Sequence, residues 1–221
     1  MTSPASALRD RLLDAMLTVA PERGWTSLAV KEAAAAAGLS PGEIQLAAPH
    51  GAADLIDAFA DRADQDALRR LGEADLAAMR VRERATAAVR YRIEALREHR
   101  KAAQRAVAHL ALMRNAPLAA HLAWRSADRL WRALGDSSTD ENYYSKRAIL
   151  AGVLTSTIGV SLMDESEDQD RTWRFLDARI ENVMQFERFK AKLKPYGLLG
   201  LHAVGALAAF RYRERSQPNT A

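Results

Sequence analysis

The sequence has no cysteine, and its 221 residues include only 7 prolines, 11 glycines and 6% aromatic side chains. Without cysteine there is no disulfide, no thiolate nucleophile and no Cys-based zinc site. Few helix breakers, beside abundant alanine, leucine, arginine and glutamate, favour an all-α fold. No run reaches the roughly 18 consecutive apolar residues expected of a spanning helix. The opening MTSPASALRD lacks the apolar core of a secretory signal and the Arg/Ser-rich pattern of a transit peptide, which leads to the expectation of a cytoplasmic protein.

The search for chemistry is equally sparse. The histidines are His50, His99, His109, His121 and His202. No two lie at i, i+4 and none follows a glutamate at i+3, so one helix cannot present a zinc or di-iron set. No glycine-rich loop is available to cradle a phosphate. Gly38-Leu39-Ser40-Pro41-Gly42 matches the hydrolase nucleophile elbow in form, but that elbow needs a strand before it, and an alanine-rich helical run precedes it here. The acidic run 164–170 fails the calcium-loop spacing and suits a loop leading into the first turn of a helix. No catalytic residue, metal or cofactor is expected.

What is present is helical periodicity with clear punctuation. Residues 5–20 place Leu8, Leu12, Leu13, Met16 and Leu17 on one face. Gly24 stops that helix, with Trp25 able to pack back on it. Ser27 offers a cap for a second helix, and Gly38 suits its left-handed end. Ser40-Pro41-Gly42-Glu43 is a capping box with proline at the first helical position. Gly51 then opens a long helix with Leu55, Ile56 and Phe59. A helix, a tight glycine turn and a second helix make a helix-turn-helix unit. Its order and spacing resemble the N-terminal unit of TetR-type regulators.

The charge distribution argues against DNA. Residues 1–60 carry four basic and seven acidic side chains, a net of −3, whereas residues 80–105 carry nine basic and three acidic, a net of +6. The would-be reading helix offers Glu43, Ile44, Gln45 and Leu46. Only Gln45 suits a base edge, and Glu43 would meet phosphate with like charge. The unit is therefore expected to be degenerate, a packing element that binds no nucleic acid; a ligand-responsive TetR-type repressor is the alternative.

Two apolar helical segments surround Asn115-Ala116-Pro117, and Gly135-Asp136-Ser137-Ser138 forms a loop with a second capping box, Ser138 and Glu141. The helix that follows runs almost uncharged from Ala148 to Met163 and is expected to be central and buried. Gly152, Ser156 and Gly159 form a stripe of small residues along it. The stripe suits either close helix–helix approach or a groove for a slender apolar ligand, with Leu130 and Trp131 alongside.

A family resemblance rests on the stretch from Gly135 through Asp140, Glu141, Tyr143 and Tyr144 to Ala148, with Leu110–Pro117 before it and Asp164-Glu165-Ser166 and Thr172–Ile180 after it. In these motifs, in this order, the chain resembles the ubiquinone-biosynthesis accessory protein family (Coq nine). The resemblance implies a TetR-like helical bundle without DNA binding or catalysis, and a homodimer. It implies an isoprenoid or quinone-like lipid bound in the body and presented to the di-iron demethoxyubiquinone hydroxylase. By position it places the partner contact at Leu130, Leu134, Asp140, Tyr143 and Tyr144.

The C-terminal stretch adds a membrane expectation of its own. Leu198, Leu199, Leu201, Val204, Leu207 and Phe210 lie between a lysine cluster ending at Lys194 and the arginines Arg211, Arg213 and Arg215. About 15 residues at 1.5 Å each span roughly 22 Å, short of a bilayer core, so the segment would lie in the interface with its basic ends at anionic headgroups. Docking on the protein itself is the other reading. The expected organisation is a helix-turn-helix-like unit at 1–50, a lipid-binding body at 51–194 and a membrane-associating helix and tail at 195–221, peripheral on the inner face of a bacterial membrane.

Overall fold

The structure is a computed structural model that describes residues 3–136 and 141–193, with side chains at 141–142 and 186–193 excepted. Among the described residues there are nine α-helices and no strand, as the composition requires. Helix α1 (Pro4–Arg23) ends where the Gly24 amide donates to Ala20 O (2.9 Å) and Gly24 turns to a φ of 67°. Helix α2 (Ser27–Ala36) is capped by Thr26 rather than the expected Ser27: the Thr26 hydroxyl accepts from the Ala29 amide at 3.1 Å. Helix α3 (Pro41–Ala47) has the expected capping box, in which the Ser40 amide donates to the Glu43 carboxylate at 2.8 Å.

Trp25 ties this N-terminal unit to the body. It is buried, stacks on Phe59 with ring centroids 5.8 Å apart, and donates its indole N–H to Ala102 O at 3.0 Å. Helix α4 (Ala52–Glu73) presents Leu55, Ile56, Phe59, Ala63, Ala67 and Leu71 to the interior. Helices α5 (Val81–Glu94), α6 (Arg100–Leu110), α7 (Ala116–Ala133) and α8 (Glu141–Met163) complete the body. In it α4 packs on α5 and α7, and α8 packs on α5, α6 and α7. Helix α9 is Asp170–Leu193. The chain divides into two compact units, Met1–Ala178 and Arg179–Ala221; the first takes in both the helix-turn-helix-like segment and most of the expected body.

Helix α8 departs from the expectation of full burial. Leu150, Val153, Leu154, Thr157, Ser161 and Leu162 face the body, whereas Tyr144, Gly152, Ser156, Gly159 and Met163 lie exposed. An uncharged helix can tolerate water here because its hydroxyls are satisfied locally. Thr155 donates to Ala151 O, Ser156 to Gly152 O and Thr157 to Val153 O, at 2.6–2.7 Å. By length and apolarity Tyr143–Met163 also meets the requirement for a membrane span, which a count of strictly consecutive apolar residues missed. Core helices of soluble bundles meet it too.

Past α8 the acidic run behaves as a capping turn. Asp164 accepts from the amide and hydroxyl of both Ser166 (2.9 and 2.6 Å) and Thr172 (2.7 and 2.6 Å), joining the end of α8 to the start of α9. Those bonds from Ser166 and Thr172 hold its carboxyl well below the usual carboxylate range. A depressed folded pKa stabilises the fold above the unfolded value of about 3.9, and that stability is lost as pH falls through the folded value. Asp164→Ala should therefore lower stability near neutral pH and flatten the acid limb of the stability–pH curve. Urea titrations across the acid range check both.

Candidate functional site

Between α4, α6, α7 and α8 lies a cavity of ≈ 290 Å³. Its wall is largely apolar, with Phe59, Leu96, Val107, Leu122 and Ile158 as the larger side chains. The space exists because the facing positions of α6 and α7 are small: Ala103 and Ala106 on one, Ala119 and Ala123 on the other. The pocket is half open, with the exposed Val107 and Thr155 in its wall, and its apolar lining makes it a candidate site.

Arg92 and Ser126 bring polarity to this wall. Both converge on Asp64, which is fully buried. Arg92 Nε donates to Asp64 at 2.6 Å and Ser126 Oγ donates to it at 2.7 Å. Arg92 Nη2 reaches Ala60 O at 3.3 Å, and Arg129 bridges Asp61 and Asp64. Arg92 is only 5% exposed, and its Nη1 has no partner among the described residues. The sequence carried a signal for this cluster that periodicity counting passed over. Asp64 follows Ala63 on the apolar stripe of α4, and Arg92 sits between Val89 and Ile93 on that of α5. A charge at a core position needs a partner, and here each supplies the other's.

The residues expected to hold lipid fall elsewhere. Gly152, Ser156 and Gly159 lie on the exposed face of α8, and a Cβ added at either glycine would meet nothing within 4 Å. Within this chain the stripe neither allows close helix packing nor lines the cavity; Leu154, Thr155 and Ile158 supply α8's share of the wall. Leu130 is fully buried in packing, and half-buried Trp131 donates its N–H to Lys146 O at 2.9 Å. Neither lines the cavity. Periodicity identified the helix but not which of its faces the neighbours cover.

The expected partner residues are brought together in part. Tyr144 is 66% exposed and Tyr143 half-buried; their rings meet edge-on at 5.1 Å, and Trp124 lies 6.1 Å from Tyr144. Leu134 is buried at the end of α7, whereas Asp140 lies outside the described residues, as do the membrane residues from Leu198 to Arg213. The aromatic cluster rests on a buried cation that the sequence reading had not singled out. Arg147 lies 3.5 Å from the Tyr143 ring centroid, donates to Asp128 at 2.6 Å and Asp136 at 3.1 Å, and is 1% exposed. Tyr143 also donates its hydroxyl to Asp128 at 3.2 Å. Burial acts to raise the Asp128 carboxyl, but the bonds from Arg147 and Arg132 outweigh it and leave it below the ordinary value. Arg147→Met should cost about 2 kcal/mol, because Asp128 and Asp136 each lose one of two cations and keep Arg132 and Lys146, and should loosen the Tyr143 ring. Tyr144→Ala should cost under about 1 kcal/mol, as a surface change does. Denaturant titration compares the two.

Residues 116–187 match the COQ9 family. "Ubiquinone biosynthesis protein COQ9, mitochondrial" of Rattus norvegicus is 32% identical over 86% of this chain and 63% of its own length. The protein of the same name from Homo sapiens is 31% identical over 86% of this chain and 62% of its own. A probable COQ9 of Dictyostelium discoideum is 26% identical over 83% and 62%. The chain thus spans about three-fifths of the length of these curated relatives. Among solved structures, a TetR transcriptional regulator from Nitrosomonas europaea superposes with a TM-score of 0.64 at 22% identity, covering 79% of this chain and 97% of its own. That match shows the TetR-like helical fold. The relatives correct one expectation: their names place them in mitochondria, against the cytoplasmic location on a bacterial membrane. That expectation rested on the first ten residues, and a chain matching only part of its relatives' length carries no such information there. By sequence, over residues 116–187 in the family match and over 86% of its length against the rat protein, the chain is a relative of the COQ9 proteins.

Proposed function

We propose that this chain serves ubiquinone biosynthesis as a non-catalytic lipid-binding protein, sheltering a polyprenyl quinone intermediate and presenting it to the demethoxyubiquinone hydroxylase. The observation that carries the reading is the apolar cavity between α4, α6, α7 and α8, in a chain akin to proteins named for that pathway. A hydrocarbon tail gains about 25 cal/mol for each Å² it removes from water, and the alanines of α6 and α7 leave it room. Residues 198–213 supply the proposed membrane contact, and a homodimer belongs to the same proposal, with the sedimentation mass as its check. Solvent extraction of the gently purified protein, followed by mass spectrometry, should release an isoprenoid or quinone lipid. Ala123→Phe, which fills the cavity at the cost of a few kcal/mol at most, should remain helical and release much less. Protein that carries no lipid, whatever the variant, removes the reading.

The partner face is proposed at the Trp124–Tyr143–Tyr144 cluster, where an aromatic pair stands partly in water. Tyr144→Ala should weaken co-purification with the hydroxylase at least fivefold while the lipid content holds; unchanged co-purification moves the contact elsewhere.

A TetR-type repressor is the second reading, favoured by the fold alone. Against it, the α3 surface offers Gln45 and Leu46 beside a Glu43 whose hydrogen bonds from Ser40 keep it ionised. Titration with duplex DNA at low salt discriminates, because phosphate-driven affinity is greatest there.

A further inference from the structure

We infer that the corner joining α6 to α7 is a docking surface for an anionic lipid bilayer, with Leu112 and Met113 entering the interface and Lys101, Arg105 and Arg114 meeting its headgroups. This surface is separate from residues 198–213, and it does not depend on what fills the cavity.

Large apolar side chains stand in water here close together. Val107 is 40% exposed, Leu112 43% and Met113 91%, and Ala108 and Ala111 between them are exposed as well. A single exposed apolar residue needs no explanation, but a contiguous group does. The fold holds these side chains out. Helix α6 ends at Leu110 and a single turn, Met113–Asn115, follows. The Asn115 side chain donates to His109 O at 2.7 Å, and its amide donates to Leu112 O at 2.8 Å. Val107 and Ala111 also line the cavity, so the patch is part of that cavity's rim.

Charge decides what covers the patch. From His99 to Ala127 the sequence has no acidic residue but five basic ones, Arg100, Lys101, Arg105, Arg114 and Arg125. Arg125 is paired with Asp57, and Arg100 is committed to the carbonyls of Leu162 and Asp164. Lys101, Arg105 and Arg114 have no carboxylate partner among the described residues; Arg105 donates through Nε to Pro21 O at 3.1 Å. Lys101, Arg105, Ala108 and Leu112 recur at i, i+4, i+7 and i+11, which sets cations and apolar residues along one side of α6 and its continuation. The seven residues from Arg105 to Leu112 rise about 10 Å, close to the depth at which an interfacial apolar group lies below the headgroups. Arg114, next to Met113, reaches the same level by extending its stem. A protein partner would have to supply carboxylates in register with these three cations. An anionic bilayer supplies a fluid negative plane over an apolar layer, which fits both halves of the patch.

The absence of cysteine makes the test direct, since Met113→Cys gives a single attachment point on a side chain that stands in water. The full chain, labelled there with a polarity-sensitive dye, is mixed with vesicles of equal parts phosphatidylcholine and phosphatidylglycerol. The emission should shift to the blue and be quenched by spin-labelled acyl chains. The same dye at Val81→Cys, on the exposed start of α5, should show neither effect. In the unlabelled full chain, Lys101→Glu with Arg114→Glu changes two exposed side chains, should leave the helicity intact, and should weaken co-sedimentation with these vesicles about tenfold. A chain that sediments with vesicles while the dye at position 113 stays in water overturns the inference and leaves the contact to another surface. Co-sedimentation unchanged by the two charge reversals overturns it as well. So does a dye that answers to the hydroxylase and not to vesicles, which would assign the corner to a protein. None of these results bears on whether the cavity carries a lipid, which the extraction decides separately.

Discussion

The pairing of Asp64 with Arg92 is the contact on which the body's arrangement turns. It joins α4 to α5 deep in the molecule, and Ser126 and Arg129 bring α7 to the same carboxylate. Two buried charges cost several kcal/mol each to desolvate, and only close mutual geometry recovers it. Such a pair is a weak source of net stability but a strict one of register, since a shift of either helix would leave a charge stranded. With α4, α5 and α7 held in this way, the alanine faces of α6 and α7 stand opposite Phe59 with nothing large enough to close the gap. The cavity is the consequence.

The N-terminal unit keeps the scaffold of its structural neighbour with a different surface charge on α3. Its turns are those of a helix-turn-helix, down to the Ser40–Glu43 box and the glycines at positive φ. Trp25 anchors it to α6, and α1 packs on α2, α3, α4 and α6. Helix α3 nonetheless carries an acidic residue in its first turn and no basic residue in its last. The packing of the unit and the charge of its third helix are thus set by different residues.

Two buried arginines play different parts. Arg147 is spent on Asp128 and Asp136 and supports the Tyr143 ring from below, so the partly exposed aromatic cluster stands on a rigid base. Arg92 holds its helix pair together through Asp64, with its Nη1 buried and without a partner among the described residues. The distinction lies in what each guanidinium has left over, and only the three-dimensional partners reveal it.

From the sequence alone the helical class, the glycine punctuation, the capping box at Ser40, the acidic turn after Met163 and the family signature around Tyr143 were legible. Each depends on residues within a few positions of one another, where spacing and geometry are nearly the same thing. The cavity, the outward turn of the Gly152–Ser156–Gly159 stripe and the roles of Arg92 and Arg147 were not. They depend on which face of a helix its neighbours leave uncovered, and on ion pairs joining residues 28 positions apart at Asp64 and Arg92 or 19 at Asp128 and Arg147. A helical period says that a face exists; the packing of the other helices decides whether it becomes core, cavity or surface.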